Sequence, residues 1–324
     1  MTERRRALIS IILCVLFWGF SFISIKVAVG VFPPMTLGAF RFVLALILLM
    51  VIKWRGDPGE KLVLRDLPCL AGAGLTGVTL YFFCENNGVA LVTASEASII
   101  VGFIPVITMA AEWLGGRLVL YRRRTGGPGP IPPEPGGRRV SGQGWLGAFL
   151  SLAGVALVVT FPGGNAGAGG GIVYPLSGNI RGYLYMAGAV LSWVAYGFLT
   201  RPLSGRRSRI YIVFWQTLFG LIGFIPFALM ERARWGRPDM PVLFHVLFLG
   251  ICCSALGYWL YAQSLAVLGV AISNIFINLV PVVTVIAGFV LLGDRLSFIQ
   301  WIGAALVISG VYTTGLGVKI PGKN

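Results

Sequence analysis

Several apolar stretches in this chain are each about as long as a lipid bilayer is thick. Residues 7–29, 210–230 and 271–292 contain very few charged side chains. A helix needs roughly 20 consecutive apolar residues to cross the hydrocarbon core, and a helix satisfies its own backbone hydrogen bonds there. Only 11% of the residues are charged, against about 25% in soluble domains. The sequence therefore predicts an all-α, polytopic membrane protein.

Charge clusters and Gly/Pro runs divide the apolar sequence into ten predicted transmembrane helices. They cover residues 7–29, 34–52, 67–91, 95–115, 144–161, 180–200, 210–230, 241–268, 271–292 and 298–317. With a cytoplasmic N-terminus, 19 Lys and Arg residues fall on the cytoplasmic side and 6 outside. This excess follows the positive-inside rule, so the predicted location is the cell (inner) membrane with both termini cytoplasmic. The net charge of +15 then belongs to loops at the membrane face, and no nucleic-acid partner is expected.

The two halves of the sequence resemble each other. ASIIVGFIPVITM (97–109) aligns without gaps on SNIFINLVPVVTV (273–285), which places Pro105 on Pro281. A second block recurs with the same spacing in the pairs Trp145/Trp301, Gly147/Gly303 and Gly154/Gly310. Because each half holds five predicted helices, an odd number, the second half is expected to enter the membrane upside down. Inverted repeats recur in secondary transporters, where the substrate site lies between the repeats.

This repeat sets the predicted domain organisation. The first five-helix repeat covers residues 1–161 and includes a long Pro/Gly-rich cytoplasmic loop at 119–143. A Gly-rich external linker, 162–179, joins it to the second five-helix repeat, 180–324. Both Pro/Gly-rich segments have the composition of linkers that form no core of their own.

Motifs along nearly the whole chain resemble EamA-type transporters of the drug/metabolite transporter superfamily. They are Trp18-Gly19, Ser21, Lys26, Pro33-Pro34, Arg41-Phe42, Ala90-Leu91-x-x-Ala94 and LLGDRLS at 291–297. The first half departs from the pattern, because GGRL at 115–118 has no acid where the second half has Asp294. The resemblance implies a transporter, and it leaves the substrate open because the family covers many substrates.

These observations together predict a secondary active transporter of small metabolites, such as amino acids or related amphipathic compounds. Alternating access, export and coupling to protons are expected, and a passive channel or uniporter is the alternative. The sequence does not favour an enzyme, since it has no His-Glu-x-x-His motif, no phosphate-binding Gly-x-x-x-x-Gly-Lys motif and a single histidine. No metal or cofactor is expected. The predicted partners are the substrate, protons and the bilayer, and the oligomeric state stays open.

Glu85 is the principal candidate for substrate binding or coupling. It lies about six residues before the end of the third predicted helix, roughly 9 Å inside it. An ionisable group at that depth is a functional candidate by default, and it could link proton uptake to substrate release. Alternatively, Glu85 pairs with Lys26 or Arg41, and Arg41 could itself hold a substrate carboxylate or serve packing and gating. Glu96 follows Thr93 at the spacing of a helix capping box.

Further polar and aromatic residues are predicted to line a central cavity. Asn274 and Asn278 share a helix face just before Pro281, although hydrogen bonding between helices would also explain them. Pro105 and Pro281 are predicted helix kinks. Asn86, Asn87 and the repeat counterpart Gln263 are expected to share one wall of this cavity. The remaining candidates are Ser98 and the aromatic residues Trp18, Trp193, Tyr196, Trp215, Tyr258 and Trp259, for which interface belts or packing are the alternative.

Overall fold

The computed structural model consists of helices and their connections. It describes residues 2–56, 60–104, 106–111, 114, 142–161, 179–203, 206–264, 267, 276, 279–293 and 295–317, which contain no strand. The helices are α1 (Glu3–Ala28), α2 (Pro34–Gly56), α3 (Leu64–Leu91), α4 (Ala94–Ala111), α5 (Gly142–Thr160), α6 (Ile180–Thr200), α7 (Arg209–Met230), α8 (Met240–Ser264), α9 (Val280–Leu292) and α10 (Phe298–Gly317).

Seven helices in the described part of the chain, namely α1–α4 and α6–α8, are long and apolar enough to cross a membrane. Apolar helices of this length bury their backbone polar groups internally, as a bilayer requires. The protein is therefore a multi-pass membrane protein. The bundle end at which α1 begins is the N-terminal end, and the other is the opposite end.

Local capping decides where two of the helices begin. Thr2 accepts a hydrogen bond from the backbone of Arg5 at 3.4 Å, so α1 begins at Glu3, four residues before its predicted start. The predicted capping box is confirmed at the start of α4. Thr93 Oγ1 accepts from Glu96 N at 3.1 Å, and Glu96 Oε2 accepts from Thr93 N at 3.0 Å. The predicted start of α9 lies outside the described residues.

Two of the long helices contain a π-helical segment at matching positions. In α3 the segment is Leu75–Leu80, and in α8 it is Phe248–Leu256. The offset of 176 residues that aligns Pro105 with Pro281 places residues 75–80 on residues 251–256. A π-helical turn accommodates one extra residue and is found mostly at functional sites. Both α3 and α8 are therefore distorted at the same position in the repeat alignment.

Helices α5 and α10 pack antiparallel through reciprocal glycine contacts. A Cβ placed on Gly154 would lie 2.5 Å from the carbonyl oxygen of Gly303, and one on Gly310 would lie 2.5 Å from that of Gly147. Gly154 and Gly310 are counterparts in the sequence alignment, as are Gly147 and Gly303. Small residues permit this close backbone approach between membrane helices. The two helices thus present equivalent surfaces to each other.

The halves of the chain meet in a central layer formed by α2, α3, α7 and α8. In α3, a Cβ on Gly74 would lie 2.6 Å from the carbonyl oxygen of Gln216 in α7. In α8, a Cβ on Gly250 would lie 2.9 Å from the carbonyl oxygen of Arg41 in α2. Since Gly74 and Gly250 are 176 residues apart, α3 contacts α7 in the way that α8 contacts α2.

Candidate functional site

A buried ion pair lies inside the central layer, between α2 and α3. The side chains of Arg41 and Glu85 are only 2% and 4% exposed, and Arg41 Nη1 lies 4.0 Å from Glu85 Oε2. A charge-assisted hydrogen bond would be about 2.7–2.9 Å long. Neither of these two atoms has a hydrogen-bond partner within the described ranges. The pair is held together by charge and proximity, and each group has hydrogen-bonding capacity left over.

The other atoms of the two charged groups are well anchored. Arg41 Nε donates to Ser254 Oγ at 2.9 Å, within the π-helical segment of α8. The guanidinium also lies over the Phe82 ring, 4.2 Å from its centroid, a cation–π geometry. Glu85 Oε1 accepts from Tyr81 Oη at 2.8 Å, one helical turn earlier in α3. Arg41 is thus tied to the second half of the chain, and Glu85 is tied to the first.

A cluster of aromatic rings from both halves reaches the pair through Tyr81. Trp18 of α1 meets Trp193 of α6 edge to face, with ring centroids 6.1 Å apart. Tyr258 of α8 lies 5.6 Å from Trp18 and 5.9 Å from Trp193. Tyr81 lies 4.9 Å from Trp193, which joins the rings to the hydrogen-bond partner of Glu85. Trp18 Nε1 donates to the carbonyl of Cys253 at 3.0 Å, within the π-helical segment of α8.

The predicted set of aromatic residues divides into two groups in space. Tyr196 joins the cluster around the ion pair, with its ring 5.1 Å from that of Trp193. Trp215 instead stacks on Phe219 of its own helix at 6.2 Å. Trp259 lines a separate pocket at the N-terminal end of the bundle. The expectation of one aromatic pocket is therefore wrong for Trp215 and Trp259.

Three residues that contact the ion pair were missed by the sequence reasoning, namely Tyr81, Phe82 and Ser254. Tyr81 could have been found, because it precedes Glu85 by one helical turn and such pairs share a helix face. Nothing in the sequence indicated that Ser254 contacts Arg41, since 213 residues separate the two. Its position near the ion pair depends on how α8 packs against α2.

The polar residues that follow Glu85 make mostly local contacts. Asn86 is buried and donates to the carbonyl of Pro34 at 2.8 Å, which ties α3 to the start of α2. Asn87 donates to the carbonyl of Phe83 in its own helix at 2.7 Å. Ser98 is also buried and bonds within α4, to the carbonyl of Ser95. Of these three residues, Asn86 is the one whose hydrogen bond connects two helices.

Gln263 does not lie beside Asn86 and Asn87. It lines a pocket of about 480 Å³ together with Ile52, near the last residues of α2. Asn86, in contrast, bonds to Pro34 at the first residue of α2. The 23 residues of α2 separate the two places by about 30 Å. The expectation of a shared wall is wrong because α3 and α8 run in opposite directions, so counterparts near their ends lie at opposite ends of the bundle.

The remaining charged candidates serve helix ends. Lys26 Nζ donates to the carbonyls of Val89 at 2.8 Å and Val92 at 2.6 Å, at the end of α3. A cation suits this position because the last carbonyls of a helix carry partial negative charge. Glu96 accepts from Gln300 Nε2 at 2.9 Å in addition to its capping box. Glu85 therefore pairs with Arg41, while Lys26 and Glu96 bind elsewhere.

Three candidates, Asn274, Asn278 and Pro105, lie outside the described residues. Pro281 lies in the first turn of α9, where a proline fits without loss of a helix hydrogen bond. It also touches α4, since a Cβ on Gly102 would lie 3.0 Å from Pro281 Cγ. The two proline kinks remain predictions. No group of three or more His, Cys, Asp or Glu side chains that could hold a metal occurs in the part of the chain that the structure describes.

A polar contact closes the N-terminal end of the bundle. Arg207 Nε donates to Asp66 Oδ2 at 2.6 Å, and Ser208 Oγ donates to Glu60 Oε2 at 2.5 Å. The hydrogen bond with Asp66 raises the pKa of Arg207 above its ordinary value, so the guanidinium stays charged. These bonds connect the first turn of α3 and the segment before it to the start of α7. We call this set of hydrogen bonds the N-terminal contact.

A second polar contact closes the opposite end. Glu231 Oε2 accepts from the backbone N–H of Thr36 at 2.8 Å and from its hydroxyl at 2.9 Å. Trp235 Nε1 also donates to Thr36 Oγ1 at 2.8 Å. In both contacts a carboxylate from one half binds at the N-terminus of a helix from the other half, Ser208 before α7 and Thr36 in α2, where the helix dipole favours an anion. We call this second set of hydrogen bonds, at the opposite end of the bundle, the opposite contact.

The comparisons with known proteins agree on a family. The EamA-like transporter family matches residues 5–119 and 180–316. The uncharacterized transporter YetK of Bacillus subtilis is 26% identical over 94% of this chain and 84% of its own length. A probable terminal-alkyne amino-acid exporter of Streptantibioticus cattleyicolor is 27% identical over 94% and 92%. A probable amino-acid metabolite efflux pump of Salmonella typhimurium is 25% identical over 95% and 94%.

A solved crystal structure has the same fold. It superimposes with a TM-score of 0.63 at 19% identity and covers 96% of both chains. The family match spans more than half of the sequence and both halves of the central layer. The chain therefore belongs to the EamA-like transporter family, whose members are membrane transporters rather than enzymes.

Proposed function

We propose that this protein is a secondary active transporter that exports small metabolites, amino acids or related amphipathic compounds, by alternating access coupled to protons. The observation that carries the proposal is the buried Arg41–Glu85 pair, which has unused hydrogen-bonding atoms where the two halves meet. Ionisable groups inside a membrane bundle are costly and mark transport or proton pathways. The names of the relatives from Streptantibioticus cattleyicolor and Salmonella typhimurium support export and amino-acid-like substrates.

The proposed architecture is ten transmembrane helices in two inverted repeats, residues 1–161 and 180–324, joined by the linker 162–179. Two observations support it. The glycine contacts between α5 and α10 are reciprocal between sequence counterparts, as a two-fold relation would require. The π-helical segments of α3 and α8 also recur at counterpart positions. In transporters of this design the substrate binds between the repeats, which is where the aromatic rings around Arg41 and Glu85 lie.

The two end contacts are the proposed gates. Both are formed here, and Arg41 and Glu85 are shielded from solvent, as in the occluded step of an alternating-access cycle. Each contact involves charged hydrogen bonds, each of which contributes about 1.5–3 kcal/mol. Moving a two-state equilibrium from 1:99 to 99:1 takes about 5.5 kcal/mol, so opening one gate and closing the other is within reach of substrate binding.

Glu85 is the proposed proton carrier. Export of a substrate would leave Glu85 open to the external side, where it takes up a proton. Return of the protein to the inward-facing form would release that proton to the cytoplasm before the next substrate binds. The proposed orientation places the N-terminal end, with both chain termini, at the cytoplasmic face of the cell (inner) membrane. This orientation rests on the positive-inside rule, because 19 Lys and Arg residues fall on the proposed cytoplasmic side and 6 on the external side.

Reconstitution into liposomes with a trapped pH dye tests this function. A panel of amino acids, amines and nucleosides is added to wild type and to Glu85→Gln. Proton movement driven by one compound class and abolished in Glu85→Gln is the expected result. Proton movement that survives the substitution would make Glu85 only a partner of Arg41. If labelled substrate equilibrates without any proton movement, the passive channel or uniporter is the correct alternative.

A further inference from the structure

We infer that Arg41 and Glu85 determine substrate specificity by binding the two charges of a zwitterion, an α-amino acid with a large apolar or aromatic side chain. This inference rests on the proposed transport function and deepens it. The substrate carboxylate takes the place of Glu85 at Arg41, and the substrate ammonium takes the place of Arg41 at Glu85. In the occluded form without substrate, each of the two side chains therefore occupies the position that a charged group of the substrate would take.

The unused polar atoms of the site match the two ends of an amino acid. Arg41 Nη1, Tyr258 Oη and Glu85 Oε2 are buried and have no hydrogen-bond partner among the described residues. The Tyr258 ring lies 5.9 Å from that of Trp193, which in turn lies 4.9 Å from the ring of Tyr81, the hydrogen-bond partner of Glu85. Buried polar groups are nearly always hydrogen bonded in proteins. Two donors and one acceptor are the complement of a carboxylate and an ammonium group.

While Glu85 is ionised, the charge balance of the site disfavours substrates with only one of the two charges. One guanidinium and one carboxylate sum to zero, and the nearby Lys26 and Glu96 are engaged at helix ends. A plain carboxylate bound to Arg41 would leave an ionised Glu85 beside a second anion. A plain amine bound to Glu85 would leave Arg41 beside a second cation. A buried charge without compensation is strongly unfavourable, and such repulsion is an effective source of specificity.

The surrounding rings select the side chain of the substrate. Trp18, Trp193 and Tyr258 lie within 6.1 Å of one another, centroid to centroid. Ring faces and edges pack well against aromatic or large apolar groups. A small hydrophilic amino acid would offer these rings little apolar surface. The site therefore favours amino acids with a large apolar or aromatic side chain, such as leucine or phenylalanine.

The anchoring of the two groups shows how the pair can open. Arg41 is fixed to α8 through Ser254, and Glu85 is fixed along α3 through Tyr81. A movement of the second half against the first would pull Arg41 away from Glu85. Ser254 is then a positioning residue, which holds Arg41 without touching the substrate.

Three compounds with one shared side chain test the inference. L-Phenylalanine carries both charges, phenethylamine carries only the ammonium, and 3-phenylpropanoate carries only the carboxylate. Binding is measured by tryptophan fluorescence of purified protein, since Trp18 and Trp193 are at the site, and transport is measured in proteoliposomes. L-Phenylalanine is expected to bind at least tenfold more tightly than either analogue.

Three variants separate recognition from folding. Glu85→Gln is expected to reduce the preference for L-phenylalanine over 3-phenylpropanoate to less than threefold. Arg41→Met/Glu85→Leu removes both buried charges together, so it is expected to fold while losing all preference for the zwitterion. Ser254→Ala should weaken binding of L-phenylalanine and 3-phenylpropanoate but leave binding of phenethylamine unchanged.

Two different failures are distinguishable. If wild type binds phenethylamine or 3-phenylpropanoate as tightly as L-phenylalanine, or if the double variant keeps the preference, the inference is wrong, although a transported compound would still support the proposed function. If no amino acid binds, the inference is also wrong. If, in addition, no compound of the wider panel is transported, the proposed function fails with it.

Discussion

Burying the Arg41–Glu85 pair costs desolvation free energy that the attraction between the two charges must offset. At 4.0 Å and an effective dielectric constant near 20, the attraction between the two charges is about 4 kcal/mol. Removing one partner leaves the other buried and uncompensated, which costs about 3–5 kcal/mol. Removing both and replacing them with apolar side chains of similar size is typically neutral or stabilising. We therefore expect Arg41→Met and Glu85→Leu to destabilise individually and the double variant to recover most of the loss.

The measurement is a double-mutant cycle of unfolding free energies in mixed micelles. The expected coupling energy between the two positions is about 3 kcal/mol or more, well above the few tenths of a kcal/mol seen for independent sites. Lys53, whose ammonium group binds the carbonyl of Glu60 at the N-terminal end, provides a control position. Lys53→Met combined with Glu85→Leu should be additive. A coupling energy below about 1 kcal/mol for Arg41 and Glu85 would refute the reasoning, because it would mean that water screens the pair in solution.

Two further predictions concern helix packing and gating. Gly154→Ala should destabilise the protein by about 1–3 kcal/mol, because the new Cβ would overlap the facing backbone of α10. The control Gly197→Ala, where nothing lies within 4 Å of the new Cβ, should be neutral or slightly stabilising. Thermal unfolding compares the two variants, and equal effects would contradict the packing of α5 against α10. Glu231→Gln should weaken the opposite contact and increase labelling of the buried Cys253 by an impermeant thiol reagent from outside, in a variant without the other cysteines. Glu60→Gln should increase labelling from the cytoplasmic side instead, and an identical response in both variants would argue against alternate gates.

The helical class and much of the site could be read from the sequence, because both depend on local properties. A run of about 20 apolar residues identifies a membrane helix wherever it lies in the fold. Thr93 and Glu96 define a capping box within four consecutive residues, and the structure contains both of its hydrogen bonds. The depth of Glu85 in its helix follows from counting residues to the next helix start. Its candidacy as a functional group needed no tertiary information.

Tertiary packing alone decided which groups meet. From the sequence, either Lys26 or Arg41 could be the partner of Glu85. In the structure Glu85 pairs with Arg41, and Lys26 binds the last carbonyls of α3 instead. Ser254 reaches Arg41 only because α8 lies against α2. Gln263 lies far from Asn86 because α8 runs opposite to α3. Hydrophobic length is a property of one segment, whereas contacts between helices depend on their direction, rotation and close approach, which the steric fit of both partners determines together.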